Sequence, residues 1–494
     1  MSSATETHHA SAASVTARDI ENVERSLVDA SARTPVLFFY TTAMTWLILA
    51  TALGFLASIK LHRPDFLTSC KYLKIIGDSS WFTYGRLWPA YMNALTYGWG
   101  CMVGLGTGIW LAARLCRVTF RSTKLLVWGG ILWNIGVTCG LTNILTGNGG
   151  AFEFMEFPRG VAMILFTAYT MIAVWGVVMF RLRRPGRAYI SLSYLFAGFL
   201  WFPWLYAAGY LAVSVFHAPG VIPAVVNAWF AQGLLGLWFG SIGLAAVYYF
   251  IPKVTGKPMH SYNLASIGFW SYALIFGWTG MTRLSGGPVP AWTVTASIAA
   301  TILMLIPIAT VTVNYAFTMR GALHTVHTSP TIRFVFFGAV AWSVSGIVAL
   351  IGSLRSVDRI THFTTWGSGW THMMLYAFFT MTMFGSMYYV VPRLVGCEWL
   401  SSTFIRLHFW GCAYGIGFTC ALLLVGGLAQ GAAWADPGQN PVDAIKPFLV
   451  GRTIAWLLLI AGHVVFALHY LLMLLRLGRP GGEPTLLGHT EEHA

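Results

Sequence analysis

The sequence predicts an all-α membrane protein of about twelve transmembrane helices. Hydrophobic residues make up 56% of the 494-residue chain and charged residues only 9%. With a mean hydropathy of +0.66, these values exclude a water-soluble globule. A bilayer core takes roughly 20 apolar residues per helix, and runs of that length recur from one end of the chain to the other. The joints between them are short and polar.

The first run, 36–59, follows a polar segment, 1–35, which has no signal-peptide core and reads as a cytoplasmic tail with a short helix leading into the membrane. A basic and comparatively long loop, Lys60 to Arg86, precedes the runs at 90–113 and 123–145. Its charge suits an acidic partner, anionic lipid headgroups or plain solvation. The fourth and fifth runs, 159–180 and 190–214, are divided by the turn signal Arg184-Pro185-Gly186. The sixth, 222–251, closes on Pro252-Lys253, and three more follow at 264–281, 292–317 and 332–353. The tenth, 368–392, closes on Pro392-Arg393, while Asp436-Pro437-Gly438 separates the eleventh, 404–430, from the twelfth, 449–476. The membrane domain is therefore 36–476, followed by a cytoplasmic tail, 477–494, of disordered character from Gly481 onward.

The formal charge is +14. Its cations are dispersed along loops instead of gathered on one face, which argues against nucleic acid and for the bilayer as the partner. Most of the 30 Lys and Arg residues fall on one side of the alternating topology, so the positive-inside rule places both termini in the cytoplasm of a bacterial-type inner membrane. Lys60, Arg283, Lys446 and Arg452 are assigned to the opposite side. Cys70, Cys101, Cys116, Cys139, Cys397, Cys412 and Cys420 are scattered, without heme-attachment or zinc spacing, and read as packing residues.

Two span ends echo each other: Tyr248-Tyr249-Phe250-Ile251-Pro252-Lys253 and Tyr388-Tyr389-Val390-Val391-Pro392-Arg393. Each sets aromatics, a helix-ending proline and a cation at the interface, which by itself is anchoring. Together with Gly236, Gly256-Lys257-Pro258, Ser261-Tyr262, Phe269-Trp270, Trp278, Gly280, Pro290, Trp292, Trp366 and Tyr376-Ala377-Phe378-Phe379, the pattern resembles subunit I of cbb3-type cytochrome c oxidases in the heme-copper oxidase superfamily. Arg86-Leu87 with Pro89, and Glu153 to Pro158, agree with it. The resemblance runs from about Gly85 to the last span, is specific in the sixth, seventh and tenth spans, and implies the family's twelve-helix bundle.

In that family a low-spin heme b, a high-spin heme and a copper ion are held almost wholly by histidine, which suits both metals. Carried onto this chain, the sixth-span copper position is Gln232 and the pair after the seventh span is Thr282 and Arg283. The position of the family's active-site tyrosine is Phe276, which has no hydroxyl. In the tenth span, residues i and i+2 point about 200° apart, so a His-x-His serves two hemes; here the sequence is Trp370-Thr371-His372. Trp370 stands at the high-spin heme position and His372 at the low-spin one. The opposite low-spin position is Tyr91, followed by Met92. The resemblance thus implies at most one heme b, bound through His372 with Tyr91 or Met92 opposite, and argues against copper.

Each position has a plainer reading. His372 fits a helix–helix hydrogen bond, Met92 apolar packing, Gln232 a buried amide contact, and Arg283 snorkelling to the interface. His463 and His469 lie six residues apart, about 120° out of phase, and form no two-ligand site. Carboxylates such as Glu153, Glu156, Asp358 and Asp443 fall near span ends, which weakens a proton-pumping role. The leading expectation is a degenerate cbb3-like membrane subunit of a respiratory electron-transfer complex, docking a cytochrome c-bearing partner and not itself reducing oxygen. The alternatives are an active terminal oxidase or nitric oxide reductase with an unusual ligand set, and a cofactor-free transporter or channel on the same scaffold.

Overall fold

A computed structural model describes residues 2–68, 79–186, 188–481 and 487, with side chains from Ile20 onward. Its helices are α1 (Ser2–His62), α2 (Tyr84–Cys116), α3 (Thr123–Thr146), α4 (Arg159–Arg181), α5 (Ile190–Val215) and α6 (Ile222–Thr255). They continue with α7 (Tyr262–Ile275), α8 (Ala291–Met319), α9 (Pro330–Ser353), α10 (Trp366–Val395), α11 (Ser402–Ala435) and α12 (Pro441–Leu474). Among the described residues, 11 of these are long and apolar enough to cross a membrane. The remaining one, α7, is 14 residues long and continues as a tighter 3₁₀ segment, Phe276–Leu284. The protein is an all-helical integral membrane bundle, as the apolar runs predict.

The apolar windows of α6 and α10 are wholly buried inside the protein and that of α2 is 89% buried, against 39% for α12 and 50% for α11. Three inner helices therefore form the centre, and the others face it with one stripe and lipid with the rest. Their packing uses small residues, as expected where lipid removes the hydrophobic drive between helices. A Cβ on Gly411 of α11 would lie 3.2 Å from the Cα of Gly462 of α12 and 3.0 Å from the Leu458 carbonyl. The joint between these two helices is the expected Asp-Pro-Gly turn, closed by the Gly438 amide on Asp436 Oδ1 at 2.9 Å.

The segment expected to hold only a short lead-in helix is instead continuous with the first span, and Pro35 lies inside α1. Side-chain ties hold the extension against the bundle despite the lost backbone bond. Trp110 Nε1 donates to Asp29 at 3.0 Å, Arg114 pairs with Asp29 at 3.4 Å, and the Phe120 amide bonds Ser31 Oγ at 3.0 Å. After α12, the Glu398 amide bonds the Arg479 carbonyl at 2.8 Å, so the chain folds back beneath α10. Most of the tail read as disordered, with Cys70, Lys71 and Lys74 of the first loop, lies outside the described residues. The six described cysteines are free and all but Cys139 are buried.

Three helices widen to π geometry at similar places: α2 over Ala94–Gly100, α6 over Leu234–Gly240 and α10 over Met373–Thr380. Each widening begins within three residues of a position singled out above: Tyr91, Gln232 or His372. Such bulges turn side chains that a regular helix would aim elsewhere and are frequent at functional sites. The inner helices thus keep backbone irregularities where the resemblance expects metal ligands.

Candidate functional site

Tyr91 of α2 and His372 of α10 are both buried, and the tyrosine hydroxyl lies 3.0 Å from His372 Nε2. The other ring nitrogen, Nδ1, lies 2.7 Å from the Ser368 carbonyl. A carbonyl only accepts, so Nδ1 carries the proton, Nε2 accepts, and the Tyr91 hydroxyl donates. The ring is a neutral imidazole with both nitrogens engaged.

Aromatic rings close around this pair. Trp88 lies 5.6 Å from Tyr91 and 6.0 Å from His372 between ring centroids, and Trp456 of α12 lies 5.3 Å from Tyr91 and 6.4 Å from His372. The fit is close enough that α1 needs glycine at Gly54, where a Cβ would fall 2.4 Å from Trp456 and 2.7 Å from Tyr91. Arg452 sits over both indoles, 5.3 Å from Trp88 and 5.5 Å from Trp456. Its Nε and Nη2 atoms are buried without hydrogen-bond partners among the described residues, so the electron-rich ring faces are its main compensation there. Arg452, placed by the sequence near the outer end of the last span, is fully buried in α12. An arginine near the start of an apolar run is a readable signal, because such a residue faces protein or water instead of lipid. Lys60 is likewise buried, its Nζ donating to the Pro64 carbonyl at 2.6 Å.

The second set of positions gathers where α6 meets the 3₁₀ segment after α7. Gln232 Nε2 donates to Thr279 Oγ1 at 3.2 Å, the Thr282 amide bonds Ser297 Oγ at 3.3 Å, and Arg283 forms an ion pair with Glu153. The Phe276 ring lies so close to Gly236 that a Cβ there would fall 1.8 Å from it, which makes that glycine obligatory. Trp370 Nε1 donates to the Ser345 carbonyl at 3.1 Å. Between Gln232, Phe276, Trp342 and Trp370 remains a void of about 40 Å³.

Beside these groups a cavity of about 440 Å³ opens on the face opposite the termini. Gln232, Thr282, Arg283, Trp370, His372 and Met92 line it, together with Trp88, Glu153, Glu156, Asp358 and His362. The structure therefore gathers on one cavity wall every position that the resemblance links to a cofactor except Tyr91 and Phe276. Glu156 lies in the segment before α4, where Asn93 Nδ2 donates to its carboxylate at 2.9 Å. Burial is the main cause that raises its pKa to about 8, with neighbouring Glu153 adding to the rise and the Asn93 bond opposing it. At neutral pH it is a protonated acid, a property that spacing in sequence did not reveal.

The remaining intramembrane histidines are held separately. His463 bonds Thr51 Oγ1 through Nδ1 at 2.6 Å and accepts from the Tyr376 hydroxyl through Nε2. His408 Nδ1 lies 2.9 Å from the Tyr388 hydroxyl, and His469 Nε2 accepts the Ser401 amide at 3.2 Å. His463 and His469 bond different partners and share no ligand site.

Known proteins match this arrangement along most of its length. The family described as Cytochrome C and Quinol oxidase polypeptide I matches residues 34–458. The Cbb3-type cytochrome c oxidase subunit CcoN1 of Stutzerimonas stutzeri is 24% identical over 459 residues, covering 87% of this chain and 92% of the relative. A cytochrome c oxidase subunit 1 homolog of Azorhizobium caulinodans is 26% identical over 456 residues, 88% of this chain and 80% of the relative. A bacteroid homolog from Bradyrhizobium diazoefficiens is 24% identical over 478 residues, 90% of this chain and 82% of the relative.

Proposed function

Because the chain belongs to the cytochrome c and quinol oxidase polypeptide I family, its substitutions fall on cofactor positions, and we propose that it is a degenerate cbb3-like subunit I that does not itself reduce oxygen. Members of this family normally bind heme and act in multi-subunit membrane oxidases. In the proposed role the chain keeps the scaffold of a respiratory electron-transfer complex and docks a cytochrome c-bearing membrane subunit. It lies in the cytoplasmic membrane with both termini inside, a placement supported by the cations concentrated on the face that carries them.

The observation that carries this reading is the direct contact of Tyr91 with His372 at 3.0 Å. His372 Nε2 already accepts from the Tyr91 hydroxyl, and iron held there would need the lone pair that this bond uses. A heme at His372 therefore requires Tyr91 to leave Nε2 and the Trp88 and Trp456 rings to part. The reading allows at most one heme b, through His372 with Tyr91 or Met92 opposite. The high-spin heme fits less well. Its ligand position is an indole already donating to Ser345, and the adjacent void of about 40 Å³ is small beside ligand pockets of about 300–1,000 Å³. Copper fits least: an amide, a hydroxyl and a guanidinium replace imidazoles, and the guanidinium brings its own positive charge, paired with Glu153.

A pyridine hemochrome assay with metal analysis on the purified chain tests the proposal. The expected result is no more than one heme b and no copper per chain; two hemes with copper overturn it. Reduced cytochrome c is expected to support neither oxygen nor nitric oxide consumption, and turnover abolished by His372→Ala assigns the active-enzyme reading instead. The sealed Tyr91–His372 contact also favours a cofactor-free protein using the open cavity. Absence of any heme spectrum after heme-replete expression selects that second reading.

A further inference from the structure

The two echoed span ends converge. Lys253, which closes the first echo on α6, and Arg393, which closes the second on α10, line one cavity of about 930 Å³ on the face that carries the termini. Arg25 and Arg33 from the extension of α1 and Arg114 from the end of α2 complete its cationic wall. Asp29 is the one carboxylate among the described residues that line it, and it pairs with Arg114. Arg25 pairs with Glu21. Arg33 and Lys253 have no hydrogen bond or ion pair among the described residues, and Lys253 lies close enough to Arg25, Arg114 and Arg393 to feel their charge, with Glu21 the one opposing charge that reaches it.

An aromatic floor holds these cations in place. Trp110 stands edge-on to Tyr249 at 5.7 Å and to Tyr389 at 5.9 Å, so the tyrosines of the two echoes share one indole. The Arg114 guanidinium lies over Trp110 at 5.4 Å, and that of Arg393 over Tyr389 at 3.9 Å while donating to the Tyr389 carbonyl at 3.1 Å. Stacking orients a guanidinium with its remaining donors outward. The five cations around this space outnumber the single carboxylate, Asp29, among the described residues that line it, so their mutual repulsion is eased further when another anion enters.

We infer that this cavity binds a phosphate-bearing anion, at a site separate from the metal positions and independent of whether they hold heme. Phosphate is the matching chemistry because its several oxygens accept from convergent guanidinium forks and an ammonium at once, which a single carboxylate does not do. The volume exceeds the need of a bare ion and admits a phosphomonoester or the headgroup of an anionic phospholipid. The two sources share the recognition and differ in whether acyl chains accompany it.

The test uses the full chain in phosphatidylcholine nanodiscs, with inorganic phosphate binding measured by calorimetry. In parallel, native mass spectrometry counts phosphatidylglycerol retained from nanodiscs that contain it. The wild type is expected to bind one of the two, and Arg33→Gln with Lys253→Gln to weaken that binding at least tenfold. Lys124→Gln, at a cation on the same face outside the cavity, is expected to leave it unchanged. Saturable phosphate binding without retained lipid identifies a free phosphate ligand, and retained phosphatidylglycerol that phosphate does not displace identifies a headgroup. Binding of neither, or equal binding by wild type and double variant, overturns the inference. Should the double variant elute as aggregate, Arg33→Gln alone, at an exposed side chain, gives the same reading with a loss of at least threefold.

Discussion

Around Tyr91 the space between helices is occupied by aromatic rings, whereas around Gln232 and Arg283 it is a polar cavity open on one face of the membrane domain, with His372 at the border of the two. Both regions hold positions that the resemblance assigns to cofactor ligands, and under the proposed function both have exchanged their ligand side chains. The first exchange keeps the interior dry: Tyr91, Trp88 and Trp456 supply bulk, and the polar atoms of Tyr91 and His372 satisfy each other. The second puts an amide, hydroxyls and an ion pair where water reaches them, so little packing rests on any one of them. A large apolar ligand that leaves an inner helix bundle must be replaced by side-chain volume or by water, because an empty apolar void forfeits contacts on all sides. The two regions take one course each.

The largest effect that sharpens this contrast is expected at Trp456. Truncation by Trp456→Ala removes a fully buried indole from between Tyr91, Gly54 and Arg452, and large-to-small changes of this kind cost about 3–5 kcal/mol. A marked fall in Tm of the detergent-solubilised protein is expected. An unchanged Tm would mean that the aromatic cluster is not core, and the contrast would collapse.

Glu156 is expected to give the next largest effect, this time from the open region. Its folded pKa stands at about 8, raised from the ordinary 4.5 mainly by burial. Between those values the folded protein keeps a proton that the unfolded chain releases, so stability is greatest at the acid end. It falls as pH rises through about 8 and is level above that. A tenfold difference in proton affinity between the folded and unfolded chain is worth about 1.4 kcal/mol, so the full swing is on the order of a few kcal/mol. Thermal unfolding followed from pH 5 to pH 9 is expected to show this decline in the wild type and a flatter profile in Glu156→Gln. Parallel profiles for the two proteins would place the carboxyl in water and remove it from the buried wall of the cavity.

Hydropathy alone exposed the bundle, because each span must satisfy its backbone internally and wear apolar side chains outside. The seventh span was harder to delimit, since composition does not distinguish α from 3₁₀ geometry and Phe276–Leu284 mixes Phe276, Trp278 and Met281 with Thr279, Thr282 and Arg283. The positions that the resemblance gives to ligands could be located because motif spacing within one helix survives substitution. What fills the space could not. Trp456 reaches Tyr91 from a helix more than 300 residues later in the chain, and nothing local to either marks the meeting. Arg452 had a signal, a cation inside an apolar run, but nothing in that run names the indoles it meets. The meeting of Lys253 with Arg393 was likewise hidden, although each motif was plain on its own.

Smaller substitutions at the two ligand positions themselves test whether the regions differ in kind or only in bulk. Tyr91→Phe leaves the ring and deletes the hydroxyl that donates to His372 Nε2 at 3.0 Å. An acceptor left buried without its partner costs about 1–3 kcal/mol in water-soluble proteins, and interhelical bonds in membranes average about 0.6. A loss of about 1 kcal/mol is therefore expected in denaturant titration. Gln232→Ala also deletes one interhelical bond, from Nε2 to Thr279 Oγ1 at 3.2 Å, but its side chain borders the cavity of about 440 Å³. Water can enter there and bond the abandoned Thr279 hydroxyl, which still donates to the Phe276 carbonyl at 2.8 Å. The expected cost is at most about 0.5 kcal/mol, below that of Tyr91→Phe. If Gln232→Ala proves as costly as Tyr91→Phe, Gln232 is sealed from water like its counterpart, and the division into a filled region and an open one fails at its most direct point of comparison.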